Sequence, residues 1–417
     1  FFVLLFLGVP IAMSLGLSAM GGILFLGGGS TVTIAQRMFE GMNSFALLAI
    51  PLYTFAGFTM SKGGISKRLM DFCYSIVGHI YGGLAHVNVL SSMIFAGISG
   101  SAVADTAGVS GMFMPEMIRK GYSKNFTVAV TAISSTIGII IPPSIPMVVI
   151  AGICGISTGK LFLGGIIPGI LCGLAQMIVS YFLAKKEGVP KEPGHFTIGP
   201  VLHGLWESWP ALLMPIIIVG TITMGIVSPT EAGVIAVVYG LFAGGIIYRE
   251  LKWEDIKFAF AETVRTSGRI FIVIGAAKLY TVMLTTAGFD KWVAKTMLGF
   301  STNPTVILIM ILLIFFIVTM FMESIATLTL FMPILYPIAL GVGINPIVLS
   351  VLITVVIGIG LVTPPVGMCI YVACDLMDTT VGEVFPTLVP FIAATFVCIA
   401  LMVAFPQLIL LPTYLMA

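Results

Sequence analysis

Apolar residues fill most of the chain in long runs that are separated by short polar segments. Runs of this kind cover residues 161–184, 212–227 and 306–322. The hydrocarbon core of a bilayer is about 30 Å thick, and a helix needs about 20 apolar residues to cross it. Membrane-spanning β-strands would instead alternate apolar and polar residues over about ten positions. The pattern therefore predicts an all-α protein that crosses a membrane several times.

Two of the apolar segments carry a polar island in their middle. One is GISGSAVADTAGVSG at 97–111, and the other is MFMESIATLTL at 320–330. Irregular backbone at membrane depth is tolerated only where protein or a wet cavity surrounds it, and an acidic side chain there is by default a functional candidate. We therefore predict a turn at each island, with these candidate site residues: Ser99, Gly100, Ser101 and Asp105, and Glu323, Ser324 and Thr327.

Two further segments contain a double proline, ISSTIGIIIPPSIP at 133–146 and TVVIGIGLVTPPVG at 354–367. Proline has no backbone N–H and interrupts a helix, so each segment is predicted to be a broken helix. The candidate site residues here are Ser134, Ser135, Gly138, Pro142 and Pro143, and Gly360, Thr363, Pro364 and Pro365. Simpler roles stay open, because small residues also let helices pack closely, a double proline can be a kink, and an acid can cap a helix.

The order of these features is repeated along the chain. The following pairs recur at a common offset of 222 positions: Glu40 with Glu262, Pro142–Pro143 with Pro364–Pro365, and Pro168 with Pro390. We predict a first repeat at 1–186, with an N-terminal span, an arm at 31–43, hairpin 1 at about 83–118 and a broken helix at about 126–152. A cytoplasmic linker at 187–208 precedes a second repeat at 209–417. Its arm lies at about 249–268, its hairpin 2 at about 304–340 and its broken helix at about 346–373.

Lysine and arginine residues indicate how the two repeats are oriented. Cytoplasmic loops of membrane proteins carry an excess of these residues. If the interrupted segments are re-entrant hairpins that enter and leave on one side, most positive charges fall on a single side. Counting these segments as full crossings would place Arg119, Lys120 and Lys124 on the opposite side of the membrane and weaken the excess of positive charge on one side. We therefore expect inverted repeats, with hairpin 1 open to the cytoplasm and hairpin 2 open to the outside, an architecture that secondary transporters use.

Composition agrees with a membrane protein and excludes several other classes. Of 417 residues, 59% are hydrophobic and only 9% are charged, against about 25% charged in soluble domains. The six cysteines and four histidines show no metal-binding spacing, so we expect no transition metal and no resident cofactor. The net charge of +2 indicates no particular partner, and we expect no nucleic acid. The chain begins FFVLLFLGVP without methionine, so we also expect residues before Phe1.

The polar residues at the two islands and the two breaks suit a cation and an anion together. Unwound backbone frees carbonyl oxygens, and hydroxyls and carboxylates add further oxygen ligands of the kind that Na⁺ requires. The helix N-termini beside them favour an anion. One site made of two hairpin tips and two broken helices would couple Na⁺ to an anionic solute.

These segments resemble a known family. GISGSAVADTAG, FMPEMIRKGYSKNFTVAVTAISSTIGIIIPPSIPMVVIAG, PTEAG and GIGLVTPPVG look like the large membrane subunit of tripartite ATP-independent periplasmic (TRAP) transporters, in matching order from about Pro10 to Pro406. The resemblance implies Na⁺-coupled import of organic acids, chiefly dicarboxylates and sialic acid, across the bacterial inner membrane. It also implies a periplasmic solute-binding protein and a small four-helix membrane subunit as partners, besides the lipid bilayer.

The resemblance further implies an elevator mechanism. Hairpins and broken helices would form a transport domain that slides against a scaffold made by the rest. Carried over to this sequence, the resemblance implies two cation sites. One would contain Ser99, Gly100, Ser101 and Asp105 with 134–143, and the other Glu323, Ser324 and Thr327 with 360–365.

Three other functions stay open at this point. A stand-alone Na⁺-coupled carrier of the dicarboxylate or citrate type would need no binding protein. An intramembrane hydrolase would need a catalytic acid pair or metal ligands, which the spacing does not supply. A channel would need a continuous pore, against which blocked hairpins argue.

Overall fold

The computed structural model describes residues 1–25, 31–189 and 197–416. Over these ranges the chain forms helices joined by loops, with no β-strand, which confirms the all-α class. Seven helical stretches of the described chain are long and apolar enough to cross a membrane. They are Phe45–Lys62, Thr158–Lys186, Ile198–Thr223, Pro229–Ile247, Trp253–Thr286, Ser324–Gly341 and Val381–Ala404.

The first half of the chain runs from two short helices into a hairpin and a broken helix. Its helices are α1 (Phe2–Phe6), α2 (Ile11–Phe25), α3 (Thr31–Met42), α4 (Ala49–Lys62), α5 (Ile65–Val77), α6 (Gly83–Ser99), α7 (Ala102–Arg119), α8 (Lys124–Ser135), α9 (Ile145–Cys154) and α10 (Thr158–Lys186). A 3₁₀ turn, Phe45–Leu48, leads into α4, and another, Thr136–Ile139, follows α8. The helices α6 and α7 pack on each other and occupy the range predicted for hairpin 1.

The second half contains a matching hairpin and a second broken helix. Its helices are α11 (Ile198–Thr223), α12 (Pro229–Phe242), α13 (Trp253–Thr286), α14 (Phe289–Phe300), α15 (Pro304–Thr319), α16 (Ser324–Gly341), α17 (Pro346–Gly360), α18 (Met368–Asp375), α19 (Val381–Ala404) and α20 (Gln407–Leu410). A π-helical turn, Ala243–Ile247, follows α12, and the 3₁₀ helix Leu411–Met416 follows α20. The helices α15 and α16 occupy the range predicted for hairpin 2.

Two predicted boundaries differ from the structure. The arm at 249–268 is no separate helix, because α13 continues through it as one helix of 34 residues. No proline interrupts that stretch, so nothing stops the helix. The predicted linker at 187–208 is also too long, because α11 already begins at Ile198, and its residues 190–196, including Lys191, lie outside the described residues.

The helices that precede the two double prolines are deeply buried. Every residue from Phe126 to Ser135 of α8 and from Val348 to Gly360 of α17 is buried. Around these two helices, elements from one half of the chain pack against elements from the other half. The helix α9 of the first half packs on α16 of the second, and α18 of the second half packs on α7 and α8 of the first. Each hairpin therefore lies against a piece of the other half's broken helix.

Candidate functional site

The tip of hairpin 1 is a two-residue turn at Gly100 and Ser101. Gly100 has a left-handed backbone with φ 66°, which glycine adopts without steric cost. The Ser101 side chain caps α7 by accepting a hydrogen bond from the Ala104 N–H at 3.4 Å. The sequence thus ends α6 and restarts the chain as α7 within two residues, which brings the polar residues of the island together.

Asp105 lies in the first turn of α7 and is fully buried. Its Oδ1 accepts a hydrogen bond from the Ser99 hydroxyl of α6. Its Oδ2 has no hydrogen-bond partner among the described residues. Cys369 of α18 lies beside both Asp105 and Thr106. Burying a carboxylate oxygen without a donor costs free energy. A bound cation is one explanation for such an oxygen.

The first broken helix meets this carboxylate at Gly138. The helix α8 gives way to the 3₁₀ turn Thr136–Ile139, and the chain then passes through the buried Pro142 and Pro143, whose peptide bond is cis. A side chain on Gly138 would collide with the Asp105 carboxylate. The Ile145 N–H donates to the Gly100 carbonyl at 3.1 Å, which ties the break to the hairpin tip. Asp105, the tip and the break thus form one cluster.

Ser134 and Ser135 are buried but their hydroxyls are already bonded elsewhere. The Ser135 hydroxyl donates to the Thr131 carbonyl at 2.7 Å. The Ser134 hydroxyl donates to Asn88 Oδ1 of α6 at 3.0 Å, and the Asn88 amide donates to the Thr131 hydroxyl at 2.7 Å. Sequence reasoning missed Asn88, for which the available signal was a single asparagine inside an apolar stretch. This network fixes α8 against α6, and a role of the two serines as ligands stays a prediction.

The tip of hairpin 2 is organised differently. Glu323 is the N-cap residue of α16, and its Oε2 accepts hydrogen bonds from the N–H groups of Ile325 at 2.9 Å and Ala326 at 3.3 Å. The Ser324 hydroxyl donates to Glu323 Oε1 at 2.7 Å. The Thr327 hydroxyl donates to the Glu323 carbonyl at 3.0 Å. Both carboxylate oxygens of Glu323 therefore have donors, as expected of a helix cap.

The second broken helix is tied to this tip by a matching backbone bond. The Val366 N–H donates to the Met320 carbonyl at 2.9 Å, and the Thr363 hydroxyl donates to the Ile359 carbonyl at 2.7 Å. A side chain on Gly360 would meet the Thr319 Cβ at 2.6 Å, so α17 lies close to the end of α15. The peptide bond between Pro364 and Pro365 is cis, as in the first break. Here, however, Pro364 is half-buried and Pro365 is exposed.

The two clusters therefore differ in what they offer a ligand. The first holds a fully buried carboxylate with one unused oxygen, and the second holds a carboxylate whose oxygens cap a helix. Nowhere in the described ranges do three His, Cys, Asp or Glu side chains form a group able to hold a metal ion. The polar side-chain groups of both clusters are oxygen atoms, the ligand type that hard cations prefer over soft transition metals.

Helical hairpins packed against helices that break in mid-course, in a chain with several apolar spans, define a polytopic membrane protein of the secondary-transporter type. Solved structures agree at the level of fold. The YdaH transporter of Alcanivorax borkumensis superposes with a TM-score of 0.61 at 13% identity, covering 88% of this chain and 86% of that one. The MtrF efflux pump of Neisseria gonorrhoeae gives 0.63 at 14% identity, covering 96% and 94%.

The family follows from sequence similarity. The family described as tripartite ATP-independent periplasmic transporter, DctM component, matches residues 1–408, and the chain belongs to it. The large permease of a sialic acid TRAP transporter from Vibrio cholerae is 35% identical over 98% of this chain and 95% of its own length. The large permease of a C4-dicarboxylate TRAP transporter from Pseudomonas aeruginosa is 35% identical over 96% and 94%.

A further relative is longer than this chain. An isethionate TRAP transporter permease from Oleidesulfovibrio alaskensis is 37% identical over 94% of this chain, which spans 62% of the relative's length. These relatives are named as permeases of transporters, and the chain is accordingly a multi-pass membrane protein of the TRAP large permease family.

Proposed function

We propose that this chain is the translocation subunit of a TRAP transporter and imports an organic acid anion together with Na⁺. The observation that carries the proposal is the fully buried Asp105, whose Oδ2 lacks a donor and faces the break at Gly138. Na⁺ bound there would supply the missing charge. The solute class follows from relatives named for sialic acid and for C4-dicarboxylates, both of which are carboxylates.

The proposed movement is an elevator. Hairpins α6–α7 and α15–α16 with the broken helices α8–α9 and α17–α18 would form the transport domain, and the remaining helices the scaffold. Each tip is hydrogen-bonded to its break, which supports their moving as one body. Hairpin 1 approaches α4 with no side chain between them at Gly57, where an added Cβ would lie 3.2 Å from the Ser99 Cα. Close packing without interlocking side chains suits a surface that slides.

The partners belong to the same proposal. Family membership supports a small membrane subunit, fused or separate, and a periplasmic solute-binding protein that delivers the anion. The location would be the bacterial inner membrane.

Uptake into proteoliposomes tests the proposal. The chain, the small subunit and the binding protein are reconstituted together, and uptake of radiolabelled N-acetylneuraminate or succinate is measured with an inward Na⁺ gradient and with choline in place of Na⁺. We expect uptake only with Na⁺ and binding protein. Uptake that ignores Na⁺ contradicts the coupling, and Na⁺-driven uptake without binding protein favours a stand-alone carrier.

Asp105→Asn tests the assigned residue. Asparagine keeps the size of the side chain but removes the charge, so we expect the Na⁺ concentration for half-maximal uptake to rise at least tenfold, equivalent to about 1.4 kcal/mol. Asp378→Asn is the matched control, because Asp378 is exposed and its φ of 47° is one that asparagine accepts. Equal Na⁺ dependence in both variants would contradict a role of Asp105 in Na⁺ binding and leave it a structural role.

A further inference from the structure

A cavity of about 170 Å³ lies between the proposed scaffold and the proposed transport domain. Its walls come from α3 and α13 on one side and from α9 and α16 on the other, with the segment before α4 between them. The residues used below are Glu40, Ser44, Lys278, Thr281, Thr329 and Pro333. Residues with hydroxyl groups and one lysine thus line a partly open space between apolar helices.

Lys278 is the cationic group of this cavity. It lies within α13, one of the candidate membrane spans, and its stem packs against α3, where a Cβ on Gly41 would be 2.6 Å from the Lys278 Cβ. Within the described ranges Lys278 makes no ion pair and no hydrogen bond. A lysine inside a membrane span is costly and normally has a partner. The Lys278 side chain is exposed, so its positive charge is accessible, and no partner for it lies in the described ranges.

The one acid that lines the described part of the cavity does not supply this partner. Glu40 is bonded to Arg37 on its own helix at 2.9 Å, and both side chains are about half exposed. The remaining polar groups are hydroxyls, and that of Thr329 donates to the Ile325 carbonyl at 2.8 Å. Because Lys278 has no partner among these groups, the cavity favours a negatively charged ligand beside it.

The cavity is separate from the tip of hairpin 2. Thr329 and Pro333 follow Ser324 along α16 by about 8 Å and about 14 Å at a rise of 1.5 Å per residue. Its volume equals that of about six water molecules. It therefore accommodates a carboxylate group with its neighbouring atoms, but not a whole nine-carbon sugar acid.

We propose that Lys278 and this cavity form an entry site that binds the carboxylate of the transported anion before the anion reaches the hairpin tips. The inference rests on the proposed function for its solute. Because Lys278 belongs to the scaffold while Thr329 and Pro333 belong to the transport domain, movement of that domain takes the cavity apart. The lysine then releases the carboxylate instead of travelling with it.

The test compares Lys278→Met, which keeps an apolar stem, with Lys278→Arg, which keeps the charge. Lys295→Met is the matched control, because Lys295 is exposed like Lys278 but lies on α14 outside the cavity. Each variant is reconstituted as above, and KM and kcat are measured at saturating Na⁺ with N-acetylneuraminate or succinate. In parallel, the anion concentration that half-maximally raises the melting temperature of the purified subunit is determined, which requires no transport.

For Lys278→Met we expect KM and the half-saturating anion concentration to rise about tenfold. This rise corresponds to the loss of one hydrogen bond to a charged group. The kcat and the Na⁺ dependence should change less than twofold, and Lys278→Arg should restore KM. Unchanged KM and half-saturation would overturn the entry site, as would a loss of kcat alone that arginine does not restore. Absence of Na⁺-dependent uptake by the unsubstituted protein would instead contradict the proposed function, and the melting assay would still test Lys278.

Discussion

Gly138→Ala adds one methyl group at the point where the first break meets the candidate cation site. The added Cβ would overlap Asp105 Oδ2 and would lie 2.9 Å from the Asp105 Cγ, closer than real Cβ contacts allow. The carboxylate has little freedom to move away, because it is fully buried and held by Ser99. Either the 3₁₀ turn or the first turn of α7 has to shift.

The size of the effect follows from this overlap. Forcing an extra methyl group into a well-packed interior costs about 1–3 kcal/mol. If the cost falls on the cation-bound state, the Na⁺ concentration for half-maximal uptake rises about 5-fold to about 140-fold, at 1.4 kcal/mol per factor of ten. If the cost destabilises the folded protein instead, the melting temperature decreases. We expect mainly the former, because the overlap falls on Asp105 itself, the candidate cation ligand, and on the two turns beside it.

The assay is Na⁺-dependent uptake in proteoliposomes, with the melting temperature of the purified variant measured at low and at high Na⁺. Gly111→Ala serves as the control, because Gly111 lies on the same helix as Asp105 and a Cβ there meets nothing within 4 Å. The reasoning is refuted if both variants show the same Na⁺ dependence and the same melting temperatures as the unsubstituted protein.

Three further substitutions test neighbouring contacts. Glu323→Ala removes the N-cap of α16 and should lower the free energy of unfolding by about 1 kcal/mol in a denaturant titration, with a smaller effect on Na⁺ affinity than Asp105→Asn. Asn88→Leu removes two buried hydrogen bonds between α6 and α8 and should cost about 1–3 kcal/mol in the same titration; an unchanged midpoint would contradict the network. Gly57→Val should lower the maximal uptake rate by hindering hairpin 1, whereas Gly220→Val, where a Cβ meets nothing within 4 Å, should leave it unchanged.

The local turns could be predicted from the sequence because their signals are local. A left-handed Gly100 followed by a capping Ser101 ends one helix and starts the next, and the polar island of GISGSAVADTAGVSG carries both residues. The double prolines likewise lie between two helices in each half. In these places backbone chemistry alone determines the structure, and no distant contact overrides it.

The use of each polar side chain could not be predicted in the same way. The hydroxyl of Ser134 bonds to Asn88, which lies 46 residues earlier, and no local signal indicates that partner, while the role of Ser134 as a ligand stays a prediction. Asp105 and Glu323 occupied matching places in the sequence pattern, yet one carboxylate keeps an unused oxygen and the other caps a helix. These differences depend on how separate helices dock, and the periodicity of apolar residues does not encode that docking.

The packing of elements from the second half of the chain against the first half has a consequence for the synthesis and membrane insertion of the protein. Cys369 of α18 lies beside Asp105, and 264 positions of the chain separate them. At 5–20 residues per second, a ribosome needs roughly 10 to 50 s to pass from one to the other. During that interval the hairpin that carries Asp105 is already synthesised while the helix that covers it does not yet exist. Insertion of this protein therefore includes a period in which a carboxylate waits in or beside the membrane without its final neighbours.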